Sequence, residues 1–156
     1  MKYVSTRKGI EATAPETVFQ GLAPDGGLYV PVIGLDSGVT LNDSNLTTLG
    51  KAEDFVLSRL FGDFPEEVRK SAIDRLASRF PAKDPVPLVE KDGLHMLELF
   101  HGPTLAFKDV ALQLLGNLFE YLLKRDGGKL NIIGATSGDT GSAVANGFLG
   151  VEGIHV

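Results

Sequence analysis

The chain has 156 residues, 43% of them hydrophobic and 22% charged, enough for one packed domain or two small ones and against disorder. Its formal net charge of -5, with no block of Lys and Arg, argues against a nucleic-acid partner. The absence of cysteine excludes a disulfide scaffold, a thiolate zinc site and a cysteine nucleophile.

The opening residues, Met1 to Arg7, lack the apolar run of a signal peptide, and no stretch approaches the length of a membrane span, so a cytoplasmic chain is expected. A short strand is predicted over residues 3–6. Pro24-Asp25-Gly26-Gly27 is a turn signal, with a strand-like Leu28-Tyr29-Val30 after it. A helix is expected over residues 53–61, ended by Gly62. A clearer helix begins at Pro65, which suits the first helical position, while Glu66 and Glu67 suit the positive end of the dipole. Val68, Ala72, Ile73, Leu76, Ala77 and Phe80 then recur at helical spacing.

Residues 81–87 hold three prolines in seven positions and cannot continue a helix, so a boundary is expected there, dividing the chain into residues 1–85 and 86–156. Beyond it, residues 88–90 and 94–100 read as strands around a Lys91-Asp92-Gly93 turn. A long helix is predicted over residues 106–124, a buried strand over 130–134, a loop of small residues over 135–141, a helix over 140–149 and a further strand from Ile154. Strand, helix, strand is the pattern of a parallel α/β sheet. The pattern breaks off at Val156, so the chain is expected to be a piece of a longer protein.

Two segments could carry chemistry. The first contains Lys108, in the opening turn of the long helix and on the flank of an apolar stripe that includes Phe107, Val110, Ala111, Leu114, Leu118 and Leu122. A helix N-terminus and an apolar surround both oppose an ammonium charge, and only the neutral amine attacks a carbonyl, so Schiff-base duty is reasonable. The plain alternative is a lysine snorkelling to solvent. The preceding Gly102-Pro103-Thr104 lets backbone approach a ligand closely. Asp109 reads as an acid favoured by the helix dipole. The second segment, residues 134–143, lies between a strand and a helix, where free N–H groups and the Ser and Thr hydroxyls make an anion site. Ordinary capping by Ser137, Asp139 or Thr140 needs fewer such residues. The loop is neither a Walker motif nor G-x-G-x-x-G. Asp139 is awkward beside an anion and is expected to cap the helix or orient neighbouring donors. His101, at a strand end, reads as structural, and His95 and His155 lack partners that suggest a metal.

These residues resemble a known family. Leu97-Glu98-Leu99-Phe100-His101-Gly102-Pro103-Thr104-Leu105-Ala106-Phe107-Lys108-Asp109 resembles the cofactor-lysine segment of threonine synthases, Ala135-Thr136-Ser137-Gly138-Asp139-Thr140-Gly141 their substrate loop, and residues 21–31 their N-terminal segment. The resemblance implies an incomplete α/β fold like that of the tryptophan synthase β subunit, preceded by a small α+β N-terminal domain. It implies pyridoxal 5'-phosphate as cofactor and conversion of O-phospho-L-homoserine and water to L-threonine and phosphate. It casts Lys108 as the lysine that holds the cofactor and moves protons. Ser137, Gly138, Asp139 and Thr140 are cast as the loop that binds the substrate α-carboxylate, with Thr104 also at the substrate. The family's phosphate loop and pyridine-nitrogen partner lie in a C-terminal portion not found here, so little or no activity is expected of these 156 residues alone. The alternatives are a phosphate-binding α/β module without catalysis, a fragment that folds but binds nothing, and a dehydratase of the same fold. No metal is expected, and the oligomeric state is open.

Overall fold

The computed structural model describes residues 1–33 and 46–156. They form two compact units, Met1–Lys70 and Ser71–Val156.

In the first unit, β1 (Lys2–Ser5) is the centre of a three-stranded antiparallel sheet, between β2 (Glu11–Thr13) and β3 (Tyr29–Pro31). Tyr3 lies opposite Ala12, and Val4 opposite Val30. The turn at residues 24–27 forms where Pro, Asp and two Gly predict it. The Asp25 carboxylate accepts from the Ser5 hydroxyl at 2.7 Å and from the Gly27 and Lys8 N–H groups, each at 2.9 Å. These donors, the Ser5 hydroxyl foremost, hold the Asp25 carboxyl below the usual carboxylate range.

α1 (Ala14–Gln20) follows β2 directly. Neither element is predicted from apolar periodicity, because both are too short to show a period. Their signal is a capping box: the Glu16 carboxylate accepts from both the N–H and the hydroxyl of Thr13, each at 2.7 Å. α2 (Leu49–Leu60) starts four residues earlier than residue 53, because Thr48 caps it by accepting from the Lys51 N–H at 3.3 Å. Tyr3, Ala12, Ala14, Ala23, Leu57 and Phe64 are among the buried apolar side chains of this unit, and the Tyr3 hydroxyl donates to the Leu60 carbonyl at 2.6 Å.

α3 (Glu66–Arg79) begins next to Pro65 as predicted, and the boundary between the units falls within it. In the second unit, β4 (Leu88–Lys91) and β5 (Leu94–Leu97) form a hairpin around Asp92 and Gly93, both at positive φ as its tight turn requires. α4 (Lys108–Asp126) packs on α5 (Thr140–Gly147). The two helices approach so closely that a Cβ on Gly147 would lie 2.7 Å from the Leu112 carbonyl oxygen. Phe119 and Phe148, both buried, meet there with ring centroids 5.9 Å apart. Arg79 donates to the Asn146 and Leu149 carbonyls at 2.6 and 2.8 Å, closing the C-terminal end of α5.

β6 (Leu130–Asn131) pairs in parallel with β7 (Ile154–His155), with α5 between them in the chain, so the predicted βαβ unit is present. The buried strand expected over residues 130–134 is not. Ile132 still donates to the His155 carbonyl at 2.7 Å, but Ile133 is 96% exposed. A parallel sheet buries its strands only where both faces are covered and neighbours flank them, and among the described residues this sheet has two strands. Among the described residues, no helix is long and apolar enough to cross a membrane.

Candidate functional site

The apolar stripe predicted for α4 is displaced in its first half. Phe107 is 58% exposed, whereas Asp109 and Gln113 are buried. Helical periodicity ranks faces by apolarity and misses a polar edge that is satisfied internally. Gln113 donates to the Asn146 side-chain oxygen at 2.7 Å, and Asn117 to the Gln113 carbonyl at 2.8 Å. Asp109 is wholly buried, its carboxylate accepting from the Thr104 N–H at 2.8 Å and from the Thr104 hydroxyl at 2.7 Å. A buried carboxylate is tolerated when such donors replace water.

Lys108 is the first residue of α4. Its side chain is 30% exposed, and Nζ sits 4.6 Å from the centroid of the Phe107 ring and donates to Asp139 Oδ1 at 2.7 Å. A ring and a carboxylate thus flank the ammonium. Asp139 occupies the N-cap position of α5 without a capping hydrogen bond from its side chain, which turns to Lys108. Of the two roles expected of Asp139, side-chain capping is absent, and orienting a neighbouring donor is what the carboxylate does, as counter-ion of Lys108. Residues 31 positions apart meet at this pair, joining the two segments singled out in the sequence.

The loop itself is open. The Thr136 hydroxyl accepts from the Gly138 N–H at 3.3 Å, and the Ser142 hydroxyl donates to the Asp139 carbonyl at 2.9 Å. The hydroxyls of Ser137 and Thr140 have no hydrogen-bond partner among the described residues. A cavity of about 540 Å³ opens beyond the C-terminal end of β6, lined by Ile132, Gly134, Thr136, Thr140, Gly141 and Val144 among others. That is where ligands bind in open α/β sheets. Thr140 therefore faces the cavity, Ser137 and Gly138 lie on the exposed loop beside it, and Thr104 is turned to Asp109. His101 pairs with Glu98 at 2.7 Å, consistent with a structural histidine. Among the described residues, no three His, Asp or Glu side chains gather in a way that could hold a metal ion.

A helix-start lysine meeting a hydroxyl-rich loop beyond a parallel strand can be compared directly with solved proteins. A structure of pyridoxal-phosphate-bound threonine synthase from Brucella melitensis superposes with a TM-score of 0.89 at 36% identity, over 99% of this chain and 34% of that one. Yeast threonine synthase superposes with a TM-score of 0.84 at 40% identity, again over 99% of this chain and 34% of that one. The architecture is thus the opening portion of an α/β pyridoxal-phosphate-enzyme fold.

The sequence narrows the class. A family profile described as Threonine synthase N terminus matches residues 2–35. The threonine synthases of Saccharomyces cerevisiae and Methylobacillus glycogenes are 42% and 41% identical over 99% and 100% of this chain. The chain spans about a third of the length of these relatives, 34% and 35%. Over its whole length it is similar to the N-terminal third of threonine synthases.

Proposed function

We propose that these residues serve as the N-terminal third of a threonine synthase, a pyridoxal-phosphate-dependent lyase that converts O-phospho-L-homoserine and water to L-threonine and phosphate. The observation that carries this reading is the contact of Lys108 Nζ with the anion loop at Asp139, 2.7 Å away. A primary amine, half-buried beside a hydroxyl-rich loop, suits the aldehyde-bearing end of the cofactor and a substrate carboxylate next to it.

In this reading Lys108 would hold the cofactor and would accept and return protons at the substrate carbons. Pyridoxal phosphate, when bound, supplies the electron sink for charge developing at those carbons. Ser137, Gly138 and Thr140 bind the substrate α-carboxylate through hydroxyl and N–H donors at the start of α5. Asp139 sets the direction of Lys108, and Thr104 borders the substrate from the lysine side. Residues 1–85 are the family's N-terminal domain and residues 86–156 the beginning of its catalytic domain. The site of action is the cytoplasm, and the 156 residues by themselves have little or no activity.

The test is a protein of threonine-synthase length in which these 156 residues replace the matching third of the yeast enzyme. Phosphate release from O-phospho-L-homoserine is expected. Ammonia release from threonine without phosphate release from O-phospho-L-homoserine would assign the chain to a dehydratase instead.

A further inference from the structure

Lys108 is held in place by what surrounds Asp109. Asp109 is buried, and both its oxygens accept from Thr104, five residues earlier in the chain. Gly102 lies against the same carboxylate: a Cβ there would be 2.7 Å from the Asp109 Cβ and 2.9 Å from its Cγ, so no larger residue fits. Between the clamped Thr104 and the buried Ala106, Leu105 adopts φ 61°, a left-handed conformation that costs a non-glycine residue energy. Its side chain is 74% exposed, so packing of its own does not hold it there. The residues on either side do: Asp109 draws Thr104 inward, and the Asp109 N–H donates to the Ala106 carbonyl at 3.0 Å. The loop is thus wrapped around one carboxylate, and the next residue back from that carboxylate is Lys108.

We infer that Asp109 is a positioning residue for Lys108, acting through Thr104 to hold the strained loop and aim Nζ at residue 139. The inference rests on the reading of Lys108 as the cofactor lysine. Its chemistry is mechanical: a fixed loop fixes the backbone from which the lysine side chain leaves, and a small misplacement of a reacting amine slows attack severely. Loss of the Thr104 hydroxyl removes one of the two bonds and leaves Asp109 in place, so Thr104→Val loosens the loop with less risk to folding than Asp109→Asn.

The test uses the threonine-synthase-length protein carrying these residues, with two readouts. In the first, lysines are reductively methylated with ¹³C-formaldehyde, and the Lys108 signal, assigned with Lys108→Arg, is followed by NMR. The signal is expected apart from those of solvent-exposed lysines, to move toward them in Thr104→Val and Asp109→Asn, and to return in Thr104→Ser. In the second, pyridoxal phosphate is added and the adduct at Lys108 is trapped with borohydride. Thr104→Val is expected to slow trapping about tenfold, with Thr104→Ser close to wild type. Unchanged Lys108 signals in folded Thr104→Val and Asp109→Asn would overturn the inference. Wild-type protein that is not trapped at Lys108 would instead count against the cofactor reading, and the NMR readout still decides whether Asp109 positions the lysine.

Discussion

The segment that presents Lys108 and the loop that faces it use their polar groups in opposite ways. In residues 102–109, the N–H and hydroxyl of Thr104 are given to the Asp109 carboxylate, and Gly102 and Ala106 are buried. In residues 134–141, the backbone is exposed, and the hydroxyls of Ser137 and Thr140 are left without protein partners among the described residues. The first region is built to hold a shape. The second leaves two hydroxyls at a helix start without protein partners, and under the proposed function a substrate carboxylate takes them. The salt bridge from Lys108 to Asp139 joins the rigid part to the receptive part.

Substitution should separate the two regions. Asp109→Ala leaves the Thr104 N–H and hydroxyl unpaired in the interior and is expected to destabilise the chain by about 3 kcal/mol, read by chemical denaturation. Gly102→Ala forces a methyl group onto the Asp109 side chain and should cost about 2 kcal/mol in the same measurement. Ser137→Ala and Thr140→Val should change stability by less than about 0.5 kcal/mol, while weakening retention of a carboxylate ligand in equilibrium dialysis. A stability loss as large as that of Asp109→Ala would break the contrast between the loops.

A second buried carboxylate shows what the wrapped loop achieves. Glu53 in α2 is buried, and neither of its oxygens has a hydrogen-bond partner among the described residues. Burial pushes its carboxyl up from 4.5 to about 7. The folded chain therefore keeps a proton that the unfolded chain releases between these values, so stability falls as pH rises through that window and levels off above it. Glu53→Gln should remove this slope. It should stabilise the chain at pH 8 by on the order of 2 kcal/mol and change little at pH 4, as checked by melting at both.

Much of this was legible in the sequence where the signal is local. The turn at residues 24–27, the hairpin at Asp92-Gly93, the helix starting at Pro65 and the βαβ order all follow from turn residues, capping and apolar spacing. α1 went unread, although the capping box of Thr13 and Glu16 is a signal for it that periodicity does not supply. What stayed hidden depends on partners brought together by the fold. The polar edge of α4 reads as solvated until Asn146, 33 residues on, accepts from Gln113. Asp139 reads as a cap until α4 and α5 place it beside Lys108. Residue types identify Lys108 and the 137–140 loop as candidates; their meeting is a property of the packed helices.

The most direct measurement is the absorption spectrum of a threonine-synthase-length protein carrying these residues, titrated with pyridoxal phosphate. The account predicts a visible band from the lysine-bound cofactor that is lost in a folded Lys108→Ala variant. A band that persists in that variant, or none in the folded wild-type protein, would contradict it.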